Sequence, residues 1–458
     1  MFKKYKHIHF VGIGGIGMSG IAQVLITLGY CVTGSDLKKS STTDQLKRRG
    51  AKIFIAHKEK NIGDGHVVVI SSAVNNSNPE VIAAKENGIP VVPRAEMLAE
   101  LMRLKYGIAI AGTHGKTTTT SLVATILDKA GLDPTMVVGG KLNNFRTNAR
   151  LGKGEFLVAE ADESDRSFLK LTPIIAVITN IEPEHMENYR DFDHVCEAYV
   201  SFANKTPFYG SVIACIDHPQ VKKLLPQIER RVITYGLKEG DYTASDIKQA
   251  GASLEFNVHY QEKLLGRVKL VLTGRHNVLN ALAAIAVAME LEVPFSKIAK
   301  GMKSFKGIER RFQFLLNKKD MPMVVTDYAH HPSEIKVILD AVKEGWPSKR
   351  VMCVVQPHRY SRLKNLFNEF AEILSKPDFT IVTPVYSAGE KNIEGISSER
   401  LVEKILEFRT NGNPVVFTPD NEKLFDLIKN TATPDDIILF LGAGNIWMTG
   451  KEFVKRCF

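Results

Sequence analysis

The 458-residue sequence offers no disulfide framework. Its five cysteines (Cys31, Cys196, Cys215, Cys353 and Cys457) are scattered, odd in number and nowhere spaced Cys-x-x-Cys. That argues against a stapled secreted scaffold and against structural zinc, and it fits a reducing cytoplasm. A long apolar run is missing as well. The longest weakly polar stretch, residues 278–289, is broken by Asn280 and falls short of the roughly 20 residues a spanning helix needs, so no membrane association is expected. The basic start, Met1-Phe2-Lys3-Lys4-Tyr5-Lys6, leads into glycines and not into an apolar segment, so it does not read as a secretory leader. Fixed-period repeats and low-complexity tracts are lacking, which sets aside solenoids and disordered arrays. No aromatic-basic motif accompanies the positive charge, so nucleic acid is not an expected partner.

What is present suits a globular protein with an ample core: 44% hydrophobic and 24% charged residues. Lys plus Arg is 60 against 50 for Asp plus Glu, and the formal net charge of +10 suits anionic ligands such as nucleotides. Length alone suggests about three domains. Short β-branched runs alternate with longer helical patterns, the signature of α/β folds with mostly parallel sheets. In a first unit, strands are expected at 7–11, 31–33, 52–55, 67–70 and 91–92, with helices at 16–28, 44–49, 80–87 and 95–104. A second opens near Tyr106, where a strand at 107–111 meets a glycine-rich turn and a helix reaching Lys129. Strands at 155–159 and 174–179, antiparallel strands within 242–272 and a helix at 277–291 complete it. A third carries strands at 324–326, 351–355, 380–383, 415–417 and 437–441. The expected domains are therefore 1–105, 106–317 and 318–458.

Gly12-Ile13-Gly14-Gly15-Ile16-Gly17 satisfies GxGxxG between a strand and a helix. Glycine lets the backbone turn tightly and approach a pyrophosphate seated on the helix N-terminus. Asp36 ends the second strand, where an acid would meet a ribose hydroxyl. Alone, this motif reads as the start of a nicotinamide-dependent oxidoreductase. The next motif does not fit that reading. Gly112-Thr113-His114-Gly115-Lys116-Thr117-Thr118 is a phosphate loop, although Ile110 stands where the common GxxxxGK[ST] spacing has its first Gly. Backbone N–H groups would cradle phosphates, Lys116 would meet the β/γ oxygens and Thr117 would ligate Mg²⁺. A dehydrogenase has no use for such a loop.

Acids follow at later strand ends. Glu160-Ala161-Asp162-Glu163-Ser164-Asp165 can help hold Mg²⁺ beside a phosphate loop. Asn180-Ile181-Glu182-Pro183-Glu184-His185-Met186 sets His185 among acids, where it can hold a metal or its water. Asn277 is a nucleotide-contact candidate, and Asn280, one turn on, caps or packs. Arg310 and Arg311 are neighbours that cannot face the same way, so one is expected at the surface while the other suits phosphate. In the third unit, Asp327-Tyr328-Ala329-His330-His331-Pro332 and His358-Arg359-Tyr360-Ser361-Arg362 follow neighbouring strands. They suggest an amino-acid pocket, with Arg for a carboxylate and His or Tyr for positioning.

In this order the motifs resemble the muramyl (Mur) ligase family, over essentially the whole chain. His9-Phe10-Val11-Gly12-Ile13-Gly14-Gly15-Ile16-Gly17-Met18-Ser19, the phosphate loop, Glu160 to Asp165, and Asp327-Tyr328-Ala329-His330-His331-Pro332-Ser333-Glu334 carry the resemblance. It implies an α/β fold of three domains: an N-terminal Rossmann-like domain that binds the UDP of a substrate and not NAD, a central P-loop ATPase-like domain, and a Rossmann-like C-terminal domain that brings an amino acid. It implies an ATP-dependent amide ligation, with L-alanine joined to the carboxylate of UDP-N-acetylmuramic acid through an acyl phosphate. ATP and Mg²⁺, with Mn²⁺ as a substitute, are the implied cofactors, in a cytoplasmic monomer or homodimer. Carried over residue by residue, Gly14, Gly15, Gly17, Met18, Ser19, Asp36, Ser71 and Ser72 would meet the UDP substrate. Gly112, Thr113, His114, Gly115, Lys116, Thr117, Thr118, Asn277, Arg311 and Asp327 would meet ATP, and Thr117, Glu160 and His185 would hold metal. Lys116, Glu160, His185, Asn277, Arg311 and Asp327 form the implied catalytic set, and Tyr328, His330, His358, Arg359 and Arg362 the amino-acid set. The family pattern around the metal histidine reads Asp-His-Met-Asp; here it is Glu184-His185-Met186-Glu187, so only His185 is carried over.

Overall fold

The computed structural model describes residues 5–71, 73–145, 147–410 and 412–458; Ser72, expected at the UDP substrate, lies outside the described residues. Three sheets organise the chain. The first runs in the order Lys52–Ile55, Cys31–Asp36, His7–Val11, Val67–Ile70, Val91–Pro93, and every neighbouring pair is parallel. The chain order reverses between His7–Val11 and Val67–Ile70. Their carboxyl ends, Gly12 and Ser71, therefore flank the switch point at which open α/β sheets take ligands.

The central sheet has ten strands, in the order Lys263–Leu270, Ser253–Tyr260, Tyr242–Ala250, Val232–Tyr235, Ser211–Cys215, Ile175–Ile178, Tyr106–Ala111, Phe156–Glu160, Thr135–Leu142, Thr147–Arg150. Tyr106–Ala111 pairs in parallel with both Phe156–Glu160 and Ile175–Ile178. One edge of the sheet thus gathers the phosphate loop, the acidic segment and Thr179-Asn180-Ile181-Glu182. Two parts of this sheet go beyond the expected pattern. Thr135–Leu142 forms an antiparallel hairpin with Thr147–Arg150, a strand hidden in the sequence by Gly139-Gly140. Ser211–Cys215 and Val232–Tyr235 extend the parallel core. Residues 242–272 fold as expected into successive strands joined by two-residue turns, and at Gln261-Glu262 both φ angles are positive, as a tight hairpin requires.

The third sheet runs Gln313–Leu316, Met323–Asp327, Asp436–Leu441, Arg350–Val355, Phe379–Val382, Val415–Phe417, parallel throughout except at the Gln313–Leu316 edge. The chain divides into two compact units. One comprises residues 5–247, Glu255–Leu270 and Asn277–Lys306; the other comprises Lys248–Leu254, Val271–His276 and residues 307–458. The first unit holds two sheets on a shared core: Ile21, Val24 and Leu25 of the helix Ile16–Thr27 belong to the same apolar cluster as Val137, Ala149 and Ala159. Among the described residues no helix is long and apolar enough to cross a membrane.

Candidate active site

The turn after His7–Val11 is held from its own sheet. The N–H groups of Gly12 and Ile13 donate to the Ser35 carbonyl at 2.9 and 3.0 Å. The Gly14 N–H donates to Asp36 Oδ2 at 2.8 Å, so this carboxylate grips the turn through one of its oxygens. Gly15 and Ile16 face solvent, and Gly17 lies against the Arg94 guanidinium. The side chains of Met18 and Ser19 turn inward. Both are only 1% exposed, because they lie on the helix face that the sheet covers, and the Ser19 hydroxyl is spent on the Ile16 carbonyl at 2.9 Å.

The second turn, after Tyr106–Ala111, is strapped to the neighbouring strand end. The His114 N–H donates to Asn180 Oδ1 at 2.7 Å, and the His114 carbonyl accepts from the Thr179 hydroxyl at 2.6 Å and from Asn180 Nδ2 at 3.0 Å. Thr113 Oγ1 accepts the Glu182 N–H at 2.8 Å. Gly112 has φ +138°, and a Cβ there would run into the Thr179 hydroxyl; Gly115 has φ +83°, with Asn280 Oδ1 against it. Only glycine fits either place. Asn280 also accepts from the Thr119 hydroxyl at 3.2 Å and donates to Asn277 Oδ1 at 3.0 Å, so it packs the turn and orients Asn277.

Lys116 opens the helix Lys116–Ala130. Its ammonium donates to the carbonyls of Gly112 and Thr113 and to Glu163 Oε1 at 2.9 Å. Burial works against its charge, but Glu163, Asp162 and Glu160 outweigh burial and raise Lys116 above its ordinary range. It is therefore a fixed cation. Asp162 takes a second cation, Arg94, at 3.2 Å. The Thr117 hydroxyl donates to Glu160 Oε2 at 3.2 Å, while Glu160 Oε1 accepts the Gly139 N–H at 2.6 Å. A hydroxyl and a carboxylate converging on a phosphate loop are hard oxygen ligands, a donor set that fits Mg²⁺. His185 sits elsewhere, with φ +57° and its ring nitrogens 3.8 Å from Glu184 and from Glu187.

In the second unit, Asp327 is 4% exposed and accepts the N–H groups of Phe312 and Ala329 at 2.6 and 2.7 Å. Burial pushes its carboxyl up, against the pull of Arg311 and of these donors. Neither arginine of the pair faces away: Arg310 lies 4.6 Å and Arg311 5.2 Å from the centre of the Tyr328 ring. The expected surface arginine is corrected by backbone geometry. Arg310 has φ +63°, which swings it round so that Nη2 also reaches the carbonyls of Gly442, Ala443 and Gly444. Tyr328, His330 and His358 form a run of edge-to-face rings, and Tyr386 stacks on His358 at 5.4 Å. Arg362 Nη1 reaches His358 Nδ1 at 3.3 Å, and burial, with His330, Arg362 and Arg359 nearby, lowers His358 to about 4. The ring is neutral at pH 7. Arg359, with φ +70°, donates its N–H to the Tyr386 carbonyl at 2.9 Å.

Sequence reasoning missed three of these residues. Glu163 lay inside the acidic motif but was not singled out as the partner of Lys116. Tyr386 follows a strand end, which was the available signal. Arg94 offered none, since nothing local tells of Asp162, 68 positions away.

Residues 7–106 match the model described as Mur ligase family, catalytic domain; residues 110–288 match the Mur ligase middle domain, and residues 310–444 the Mur ligase, glutamate ligase domain. The chain belongs to the Mur ligase family. Among curated relatives, the UDP-N-acetylmuramate--L-alanine ligase of Geotalea uraniireducens is 53% identical over 457 residues, covering 100% of this chain and 99% of that one. The enzyme of the same name from Sulfurihydrogenibium sp. is 52% identical over 457 residues, covering 99% of both. The crystal structure of the UDP-N-acetylmuramate-alanine ligase of Thermotoga maritima superposes with a TM-score of 0.84 at 30% identity, covering 98% of each chain. This Mur ligase thus has the three-domain fold of its family. A MurF ligase from Thermotoga maritima, solved in complex with ADP, shares the fold at 19% identity and a TM-score of 0.63, covering 93% of this chain and 96% of that one.

Proposed function

We propose that the chain joins L-alanine to the carboxylate of UDP-N-acetylmuramate at the expense of ATP, giving ADP and phosphate, in peptidoglycan precursor synthesis. The observation that carries this is the Lys116 cation, fixed in a phosphate loop among Glu160, Asp162 and Glu163, in a chain 53% identical along its length to an L-alanine ligase. Residues 1–105 take the UDP substrate at Gly14, Gly15, Gly17 and Ser71. Residues 106–317 take ATP on the N–H groups of Gly112 to Thr118, oriented by Asn277. Residues 318–458 bring the amino acid.

The muramyl carboxylate attacks the γ-phosphorus, ADP leaves, and the alanine amine then displaces phosphate from the acyl phosphate. Such transfer depends on positioning and charge neutralisation more than on covalent help from the protein. Lys116 supplies a cation at the transferred phosphoryl group. Thr117 and Glu160 would hold Mg²⁺, with His185 as the candidate for a second ion; bound there, such a metal would neutralise phosphate oxygens. Arg311 and Asp327 keep the nucleotide-contact role that their motif implies. Neutral His358 with Arg359 and Arg362 suits an amino-acid carboxylate, since a charged fork meets it bidentately. ATP and the nucleotide-sugar substrate suit a cytoplasmic enzyme, acting as a monomer or homodimer.

The test is phosphate release from Mg-ATP in the presence of UDP-N-acetylmuramate, with and without L-alanine. Release that requires both, with an alanyl product by mass, is expected. A related reading, addition of a preformed peptide to the same nucleotide, has the weaker support of a murein peptide ligase from Psychrobacter arcticus at 23% identity and a TM-score of 0.71, covering 98% of both chains, which attests the fold alone. Release with a tripeptide but not with alanine would favour it.

A further inference from the structure

The chemistry above leaves unused a buried carboxylate beneath the first glycine-rich turn. Glu80 stands in the first turn of the helix Pro79–Glu86, which Asn78 caps by accepting the Glu80 N–H at 2.9 Å. Its side chain has no exposure. Donors surround it on both oxygens. Oε2 accepts the Ser35 hydroxyl at 2.5 Å, with His57 Nδ1 at 3.4 Å and His9 Nε2 at 3.5 Å. Oε1 accepts Asn61 Nδ2 at 2.6 Å and the Lys58 N–H at 3.2 Å. Burial alone would neutralise the group, but hydrogen bonds from His9, Ser35 and Asn61 outweigh burial and hold it at about 2, so it is ionised.

The position of Ser35 gives the cluster a direction. Its hydroxyl is bound to Glu80 while its carbonyl receives the N–H groups of Gly12 and Ile13, and the next residue, Asp36, receives that of Gly14. A buried charge here therefore fixes the strand end from which the whole turn hangs. His57 Nδ1 adds a contact to the same Ser35 hydroxyl at 2.8 Å, and His9 is in turn held by Thr33 at 2.7 Å. A core that needed only to be filled would take an apolar side chain at this place with no desolvation cost.

We propose that Glu80 is a positioning residue for the nucleotide-sugar substrate, acting through Ser35 to set where the turn that begins at Gly12 carries Gly15 and Gly17 to the diphosphate. This rests on the UDP-binding role proposed for that turn. The test uses the full chain carrying Glu80→Gln or, separately, Ser35→Ala, which keeps the carbonyl and removes the hydroxyl that links it to Glu80 and to His57. UDP-N-acetylmuramate binding is titrated by calorimetry, and KM and kcat are measured for all three substrates. Both variants should raise Kd and KM for the nucleotide sugar by about tenfold, the scale of one hydrogen bond to a charged group. KM for ATP and for L-alanine should stay as in the parent, as should kcat. A lowered melting temperature with unchanged Kd and KM for the nucleotide sugar would make Glu80 a purely structural residue and overturn the proposal. If Glu80→Gln does not fold, Ser35→Ala decides alone. A parent chain that fails to bind UDP-N-acetylmuramate would instead remove the functional reading, and the positioning role with it.

Discussion

The two glycine-rich turns of the first unit have the same local grammar, strand then glycines then helix, and opposite electrostatics. At Gly12–Gly17 no lysine enters; the carboxylates nearby, Asp36 and Glu80, hold the backbone in place from behind, and the Arg94 guanidinium against Gly17 is tied to Asp162. At Gly112–Thr118 a lysine stands in the turn, and three acids converge on it from the next strand end. The glycines say only that the backbone comes close to something. Which ligand comes close is decided by the charges around them: a diphosphate that is merely bound needs N–H groups, whereas a phosphoryl group in transfer needs a fixed cation and a place for a metal.

The comparison breaks first at Lys116. Lys116→Ala should lower kcat by about 10²–10³-fold, the usual loss when one preorganised charge is removed, while UDP-N-acetylmuramate binding measured by calorimetry stays unchanged. Near-parental turnover would erase the distinction between the turns. A second contrast lies in the glycines themselves. Gly112→Ala forces a Cβ against Thr179 at φ +138° and should destabilise the chain by about 1–3 kcal/mol in urea denaturation. Gly15→Ala, at φ −60° with nothing nearer than 3.5 Å, should leave stability unchanged and weaken only nucleotide-sugar binding. A third contrast is in acid stability. Glu80 is lowered from 4.5 to about 2 on folding, so its contribution is complete above pH 4.5 and is lost as pH falls toward 2. Denaturation curves across that window should fall more steeply for the parent than for Glu80→Gln.

Much of this was legible in the sequence because it is local. The spacing Gly112 to Thr117 places a lysine and a hydroxyl at a helix N-terminus whatever the rest of the chain does. The pairing of Thr117 with Glu160 follows once two strands are neighbours, since Glu160 ends one of them and Thr117 stands in the first turn of the helix that follows the other. The rest depends on which way side chains turn. Glu160, Asp162 and Glu163 are chemically alike, and only the fold sends Glu163 to Lys116, Asp162 to Arg94 and Glu160 to Thr117. Met18 and Ser19 follow the glycine motif in sequence, yet the helix turns them into the core. The adjacent arginines share one ring because Arg310 adopts a positive φ that its residue type does not announce. Glu80 reads as the start of an ordinary surface helix, and its partners lie 19 to 45 positions away or more.

The most direct test of the central claim, that ATP activates a carboxylate on this chain, follows oxygen and not turnover. UDP-N-acetylmuramate labelled with heavy oxygen in its muramyl carboxylate is incubated with Mg-ATP and L-alanine, and the released phosphate is analysed by mass. Carboxyl phosphorylation followed by amine attack leaves one labelled oxygen in each phosphate released. Unlabelled phosphate would mean that water takes the phosphoryl group, and that the phosphate loop of this chain serves a hydrolysis and not a ligation.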